Sequence, residues 1–517
     1  MEFKTNRETI PAAEVIYSGV QEQGVELDYI LPDYYPDIFR LVRCELTPVI
    51  TGYSVIGDKL TYELRCDIRI LYCGENGSVL QSVEQRQSFS KTAELGRPAD
   101  HAEVRLLPKT DHVNFRAVNK RRLDMRGTVS VRITVNGEAP QDIISDAYGM
   151  NIQLRKTPVK YTAKKLTAEK SVQLSEDVEL SPAQPDMINI VSVRSKAEVT
   201  EKKLISGKLL AKGEVSLNVL YSCENSDGGA VEAMDFTLGY SQLIDMDGLD
   251  DSFDCDIAAE TVSCEITPTA DRDGNTRVMK CEAEIRLVCR AVRESSAMLV
   301  TDAFSTVYPC EVTFADIKTE QPPEVSHESF SHTAVLAAGE NVPQTVYSMW
   351  CSPKNINTHV SEDGTALMIS GMLTYSMAAK DGQGTILIPD KDEAFEKSIP
   401  LGRDMRNSSV SADVTVSGIS YNITPDGELT AKAELSADIT AMSGASVKAV
   451  TDIAIDESSR KQRDGDYAIK LYFGVENENV WDIAKRYSTD VEAVMEENDL
   501  DGDRLEKGGM LLIPIVS

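Results

Sequence analysis

Stretches in which apolar and polar residues alternate strictly recur along most of this chain. Apolar side chains occupy every second position in residues 60–70, 123–133, 209–219, 279–289, 367–377 and 429–439, and mostly charged or small polar residues stand between them. A period of two residues is typical of a β-strand with one buried face and one face in water. The pattern therefore predicts six amphipathic strands.

Two segments of the chain are copies of one another. Residues 36–76 and 185–225 align without a gap at an offset of 185 − 36 = 149, and eleven of the 41 aligned positions are identical. Chance identity over this length is roughly two or three positions at average residue usage. The last two alternating stretches belong to a third, more diverged unit. The chain thus carries three repeats, each with two alternating stretches.

Each repeat is predicted to be an antiparallel β-sandwich, because a sheet with one apolar face needs a second sheet to cover it. The predicted domains are repeats at 1–156, 157–310 and 311–457, a polar linker at 458–466 and a small module at 467–517. The third apolar position of most alternating stretches is a small residue, such as Gly127 or Gly213. Such a residue predicts a close backbone approach or a β-bulge.

The small C-terminal module reads as strand, helix, helix, strand. Asn479 and Asp490 stand where helix N-caps are expected, since their side chains accept hydrogen bonds from first-turn amides. Val480, Ile483, Ala484 and Tyr487 give the first helix one apolar face. Trp481 lies about 100° from Val480 around the helix axis, so part of its indole is expected at the surface as a partner anchor. The alternative is that Trp481 only caps the core of the module.

Charge and cysteine usage exclude several classes of protein. The formal net charge of −30 opposes binding to nucleic acid or to anionic lipid, which reward clustered Lys and Arg. Ten cysteines stand singly, with no CxxC pair, as expected for a reducing cytosol. The first residues lack the pattern of an export signal, and no stretch is apolar enough to span a membrane. We therefore expect a protein that is not secreted.

Motifs of catalysis are missing from the sequence. No HExxH, GxSxG, GxxxxGK[ST] or GxGxxG stands at a strand-to-helix turn, and no His/Cys group has the spacing of metal ligands. The sequence predicts no enzyme, no catalytic residues, no metal and no cofactor. A peptidoglycan-remodelling enzyme remains the least favoured alternative.

The module resembles a LysM domain, and the repeats resemble SPOCS domains. The LysM resemblance lies in Ile469-Lys470, in "VWDIAKRY" from Val480, in Asn498 and Leu500, and in the stretch from Leu505 to Pro514; the SPOCS resemblance lies in "LPDYYPDIFR" from Leu31 and in "ILYCGEN" from Ile70. SPOCS repeats followed by one LysM domain are similar to the SipL-type family of sporulation morphogenetic proteins of Firmicutes.

That resemblance implies a scaffold of spore-coat assembly in the mother-cell cytoplasm, located at the forespore surface. It also implies that the LysM domain binds the coat-basement ATPase, stage IV sporulation protein A. Other coat proteins and self-association remain open as further partners. The alternative is a cell-wall or surface-layer protein whose LysM domain binds N-acetylated sugars of peptidoglycan.

The loop before the first helix departs from the sugar-binding pattern. LysM domains that hold N-acetylated sugars commonly show Gly-Asp-Thr there, whereas this chain has Asn477, Glu478 and Asn479. The loss of the Gly leaves the backbone conformation of the loop open, and the departure favours a protein partner over a glycan. The predicted partner-binding residues are Trp481, Ile469, Asn477, Glu478, Asn479, Asn498 and Leu500.

The segment "LPDYYPDI" is a second candidate for a functional surface. Its two prolines fix an extended path, so Tyr34 and Tyr35 are large exposed aromatics if the segment is free. The partial copy "SPAQPDM" from Ser181 keeps Pro and Asp but lacks the tyrosines. Pro-Asp is therefore interpreted as structural, and the role of the tyrosines stays open.

Overall fold

The structure is a computed structural model of the chain. It describes residues 3–74, 80–99, 102–205, 207–225, 228–402, 405–406, 408–462 and 468–514. Part of the predicted linker (463–466), the first residue of the predicted module (Tyr467) and residues 515–517 lie outside these ranges.

Repeat 1 is a sandwich of two antiparallel sheets. Its strands are β1 (Lys4–Ile30), β2 (Arg40–Ile56), β3 (Lys59–Cys73), β4 (Leu80–Glu94), β5 (Glu103–Asn119) and β6 (Arg122–Tyr148). One sheet has the order β2-β3-β4 and the other β1-β6-β5. Their inner faces share one core that contains Leu64 and Val131.

Repeat 2 has the same arrangement of strands, and its first strand begins at Ile152, five residues before the start that the sequence predicted. Its strands are β7 (Ile152–Glu179), β8 (Met187–Ile205), β9 (Lys208–Asn225), β10 (Gly228–Asp245), β11 (Asp254–Ala270) and β12 (Thr276–Ser305). The sheets have the orders β10-β9-β8 and β11-β12-β7, which match those of repeat 1 strand for strand.

Repeat 3 keeps the plan, but two of its strands are divided. Its strands are β13 (Cys310–Glu320), β14 (Glu324–Ala338), β15 (Thr345–Val360), β16 (Ala366–Lys380), β17 (Ile386–Leu387), β18 (Asp390–Pro400), β19 (Ser408–Ile423) and β20 (Glu428–Ile455), with a 3-10 turn at Gly339–Asn341. β13 and β14 both pair with β20 and together replace the single long first strand of the other repeats. Likewise, β17 and β18 both pair with β16. The break between β13 and β14 falls at Gln321, Pro322 and Pro323, because proline has no amide hydrogen for the ladder.

The six alternating stretches lie in β3, β6, β9, β12, β16 and β20, each of which pairs with strands on both sides. Their apolar positions are buried, as the period of two predicts. The fold is therefore mainly β and antiparallel, as the sequence predicted.

Small residues in these strands mark tight contacts between neighbouring strands. A Cβ atom added at Gly213 would lie 2.0 Å from the carbonyl oxygen of Glu198 on the neighbouring strand. The register of β8 against β9 shifts between Val199 and Glu201, directly beside this glycine. A Cβ atom at Gly127 would lie 3.1 Å from the carbonyl oxygen of His112 on the neighbouring strand and 2.7 Å from the side chain of Leu46 in the opposite sheet. Both the predicted close approach and the predicted bulge are thus present at Gly213.

The three repeats pack against each other around a shared core. Equivalent positions of β6, β12 and β20 meet there: Ile143 with Leu299 and Ala449 in one layer, and Ile144 with Val300 and Val450 in the next. The strands β1, β7 and β13 add Ile10, Val159 and Ile317 to the first layer. The repeats are thus three sides of one pseudo-threefold body, in which each repeat contacts both others.

A second junction joins the other sheets of the repeats. Leu71 of repeat 1, Leu220 of repeat 2 and Ala378 of repeat 3 share one buried cluster. Beside it, the guanidinium of Arg194 lies 3.7 Å from the ring centre of Trp350. Burial of this cation lowers the pKa of Arg194 to about 10. The cation–π contact between Arg194 and Trp350 therefore joins repeat 2 to repeat 3.

The C-terminal module has the predicted βααβ order. It consists of β21 (Ile469–Gly474), α1 (Val480–Tyr487), α2 (Val491–Glu497) and β22 (Gly509–Pro514). The side chain of Asn479 accepts a hydrogen bond from the amide of Trp481, and that of Asp490 accepts one from the amide of Ala493, so both residues are the predicted N-caps. Within the described ranges, no helix has the length and apolar character needed to cross a membrane.

The ten cysteines are free thiols, and six of them are buried. Burial raises the pKa of Cys66 and Cys289 to about 11 and that of Cys281 to about 12. A thiol with such a pKa holds almost no reactive thiolate near neutral pH, so these cysteines act as small apolar side chains.

We expect iodoacetamide at pH 8 to modify Cys66, Cys281 and Cys289 slowly in the folded protein and rapidly in urea. We also expect no disulfide between them. Mass spectrometry without reductant measures the rate of alkylation of each cysteine and detects any cross-linked pair. A stoichiometric disulfide, or equal labelling rates with and without urea, would contradict the prediction.

Candidate partner-binding site

Trp481 lies on α1 but faces repeat 2 rather than solvent. Its side chain is only 6% exposed. The indole Nε1 donates a hydrogen bond of 2.8 Å to Oδ2 of Asp302, and the ring packs edge-on against Phe304 with 5.0 Å between ring centres. The expectation that part of the indole is exposed is therefore wrong for this structure. The physical reason is that β12 covers the flank of the helix where Trp481 stands.

Further polar contacts hold the module against the end of repeat 2. The Lys485 ammonium donates to both carboxylate oxygens of Asp302 at 2.7 Å. Gln153 at the start of β7 donates to Oδ2 of Asp490 at 2.7 Å. Lys461 donates to the carbonyl oxygen of Ser305 at 2.7 Å and to Oγ of Ser488 at 3.0 Å. Lys461 belongs to the predicted linker and is itself part of this contact.

The loop that replaces Gly-Asp-Thr keeps the backbone shape that glycine favours. Asn477 has a φ of 68°, in the left-handed region that Asn tolerates better than most residues. Its amide donates to the carbonyl oxygen of Leu505 at 2.8 Å, and Arg504 donates to its carbonyl oxygen at 3.2 Å. The loop is therefore bonded to the segment that precedes β22.

The side chains of Glu478 and Asn479 serve the module's own structure. Glu478 accepts hydrogen bonds from the Tyr472 hydroxyl at 2.6 Å and from the Val475 amide at 3.1 Å. This bond with Glu478 is the main reason that the pKa of Tyr472 is raised. Asn479 is buried as the N-cap of α1. Neither side chain points freely toward a partner.

Asn498 and Leu500 also hold the module together. Asn498 donates to the carbonyl oxygens of Val494 at 2.8 Å and Leu512 at 2.6 Å, and it accepts from the Leu512 amide at 2.7 Å. It thereby ties α2 to β22. Leu500 is partly buried against the module core. The residues that carry the family resemblance here are thus mainly structural.

Ile469 lies on a large apolar surface of the module. It faces outward from β21 together with Leu471 and Phe473, which are 62% and 69% exposed. Their partners in the antiparallel register are Pro514, Leu512 and Met510 on β22. We call these six residues the apolar sheet face. No charged side chain belongs to it.

Sequence reasoning found only Ile469 of this surface. The signal that it missed is a short alternation in β21, in which Ile469, Leu471 and Phe473 are apolar and the residues between them turn inward. In most strands the apolar set is buried, but here the inner face carries Lys470, Tyr472 and Gly474 instead. An exposed apolar patch of this kind is typical of an interaction surface.

The guanidinium of Arg121 binds both ends of the "LPDYYPDI" segment in repeat 1. Arg121 donates to the carbonyl oxygens of Leu31 at 3.0 Å and Pro32 at 2.7 Å, and to the Asp37 carboxylate at 2.8 Å. In repeat 2, Arg277 binds the carbonyl oxygen of Ser181 at 2.7 Å and the Asp186 carboxylate at 2.6 Å in the same way. The Pro-Asp pair is therefore structural in both repeats. Tyr34 is exposed and Tyr35 partly buried.

In the part of the chain that the structure describes, no three His, Cys, Asp or Glu side chains are placed to hold a metal ion. What the geometry defines is a three-repeat β-body with a small module docked on it, and surfaces suited to binding.

Comparison with family models agrees with this class of protein. Residues 186–267 match the SipL SPOCS domain, and residues 475–514 match the LysM domain. The chain thus carries the two domain types on which the SipL-type resemblance rests. Both are non-catalytic binding domains, and together they fit a sporulation or cell-surface binding protein. Neither curated proteins nor solved structures provided a match to the chain.

Proposed function

We propose that this protein is a non-enzymatic scaffold of spore-coat assembly that binds the coat-basement ATPase, stage IV sporulation protein A, through its LysM module. The proposal places it in the mother-cell cytoplasm at the forespore surface. The three repeats provide a rigid body, and the module provides the contact. The observation that carries the proposal is the apolar sheet face, which leaves six uncharged residues on the outer side of β21 and β22.

Such a surface suits a folded protein better than a glycan. Protein interfaces have an apolar centre in which a few large side chains supply most of the binding free energy. Sugar recognition instead needs placed hydrogen-bond donors and acceptors, and the side chains of Glu478 and Asn479 are already engaged inside the module. A protein partner is therefore the favoured ligand of this LysM domain.

Peptidoglycan remains the second candidate, because the family match itself points to glycan as a kind of partner. The left-handed conformation of Asn477 also preserves the backbone shape of the loop that precedes α1. Co-sedimentation of the full chain with insoluble peptidoglycan tests this function. Binding that is lost when Asn477 is changed to Val, which disfavours positive φ, would favour the glycan.

The first test of the proposed function compares the full chain with a chain that ends at Asp456, at the end of repeat 3. We expect the full chain to co-purify with the basement ATPase and the shorter chain to lose this binding, because only the former carries the apolar sheet face. Circular dichroism of the shorter chain shows whether the repeats keep their strand content. Equal binding by both chains would refute a role for the LysM module.

A further inference from the structure

Three aspartates occupy equivalent positions in the three repeats. Each follows the shared-core pair of its repeat at the same spacing: Asp146 after Ile143 and Ile144, Asp302 after Leu299 and Val300, and Asp452 after Ala449 and Val450. The pseudo-threefold packing of the repeats therefore brings one carboxylate to each of three related places at one end of the body.

Two of the three aspartates bind a cation of the next repeat. Lys156 of repeat 2 donates to Asp146 at 2.8 Å, and Arg7 of repeat 1 donates to Asp452 at 3.0 Å. These two cations are equivalent by register, because Arg7 pairs with Ile144 and Lys156 pairs with Val300. Each cation thus reaches back to the aspartate of the preceding repeat.

The third aspartate, Asp302, has no such partner from the next repeat at the equivalent position. The residue of repeat 3 that pairs with Val450 is Phe314, which has no charge to offer to Asp302. Among the described side chains, the cation bonded to Asp302 is Lys485 of the module, and the Trp481 indole supplies a second donor. Phe304 also differs from its equivalents in the other repeats, which are Tyr148 and Ala454. Its ring packs against Trp481. The two differences lie at the place where the module docks.

We propose that repeat 2 carries a docking surface for the chain's own LysM module, built on Asp302 and Phe304, and that this docking withholds Trp481 from the module's partner. The docked and the fully partner-bound states then exclude each other at Trp481. The apolar sheet face is exposed in the docked state and allows first contact. This last part rests on the proposed function, whereas the docking surface itself does not.

The contact between the module and repeat 2 can open because its ion pair is partly exposed to water. The Asp302 side chain is 19% exposed and the Lys485 side chain 41% exposed, so water reaches the ion pair. A partner that supplies an apolar pocket for the indole can replace Phe304. When only a fraction of molecules is open, the apparent affinity is reduced by that fraction.

The docking is tested on the full chain with Trp481 as the sole reporter. The chain has two tryptophans, so Trp350→Phe leaves Trp481 alone to fluoresce. In this background, Asp302→Lys removes the acceptor of the indole and repels Lys485. We expect acrylamide to quench Trp481 severalfold more strongly and its emission to shift to the red. Asp452→Lys is the matched control, because it makes the same change at an equivalent site whose cation partner is Arg7 of repeat 1 rather than a residue of the module.

A second variant, Phe314→Arg, avoids a substitution in the docking surface itself. It gives repeat 3 the cation that Arg7 and Lys156 provide elsewhere, so it competes with Lys485 for Asp302. We expect increased quenching here as well. Unchanged quenching in both Asp302→Lys and Phe314→Arg, or an equal increase in Asp452→Lys, would overturn the docking surface.

Titration with the purified basement ATPase then tests exclusion. We expect both variants to bind about tenfold more tightly than the parent, if the docked state is favoured by ~1.4 kcal/mol. Increased quenching with unchanged affinity would overturn the exclusion. If the ATPase binds none of the proteins, the proposed function is wrong, and the quenching result still decides whether the docking surface exists.

Discussion

Trp481→Glu is expected to unfold the LysM module and to abolish its binding of the basement ATPase. The side chain is buried between the module core and Phe304, so the substitution removes a large apolar contact. Truncation of a buried Trp costs about 3–5 kcal/mol, and the module has a small core with little stability to lose. The new carboxylate also stands next to Asp302, whose charge repels it.

Trp481→Phe is the matched control for that substitution. It keeps an aromatic ring in the core and removes only the indole hydrogen bond to Asp302. We expect the module to remain folded and the affinity to rise by no more than about tenfold, because the lost hydrogen bond is to Asp302 rather than to the partner and weaker docking can raise the affinity only by the factor by which docking lowers it. Thermal melting by circular dichroism separates the effects. A folded Trp481→Glu protein with full affinity would contradict both the structural and the binding role.

Phe473→Ser is expected to weaken binding of the basement ATPase about thirtyfold without changing the stability of the module, since a central aromatic anchor contributes on the order of 2 kcal/mol. Phe473 is the largest side chain of the apolar sheet face and is 69% exposed, so its removal leaves no cavity inside the protein. Isothermal titration calorimetry with the purified ATPase gives the affinity, and differential scanning calorimetry gives the melting temperature.

Ile56→Ser provides the comparison for Phe473→Ser. Ile56 is 77% exposed and stands at the β2–β3 turn of repeat 1, so it is equally apolar and equally free of internal contacts. Its substitution should leave the affinity unchanged. Equal losses in the two variants would show that general surface hydrophobicity, rather than the apolar sheet face, drives association.

The strands could be predicted because the alternation of apolar and polar residues within a short segment determines which side chains are buried. Alternation along residues 209–219 or 367–377 reports directly which side chains a sheet buries, and a glycine at position 213 of such a strand indicates a tight contact with the neighbouring strand. The helix caps Asn479 and Asp490 are equally local signals. The βααβ order and the mainly β class follow from such short-range rules.

Contacts between distant segments were not predictable in this way. Helix geometry alone places Trp481 at the surface, because it does not reveal that Asp302 and Phe304, in another repeat, cover the indole. Nor does the alternation within one repeat say which repeats pack together. The predicted site residues Asn498 and Glu478 hold the module together, since family motifs record folding needs as well as binding.

Because repeat 3 packs against repeat 1, the three repeats form a closed ring, and this ring can form only late in synthesis. Arg7 meets Asp452, a residue 445 positions later, so the ring cannot close until repeat 3 has left the ribosome. At about 5–20 residues per second, this delay lasts about 20–90 s. Until then the junction that contains Ile10 and Ile143 lacks Ile317 and Ala449 of repeat 3, although all four residues are buried in the finished protein. The nascent first repeat therefore exposes an apolar junction that chaperones can hold until its last neighbour arrives.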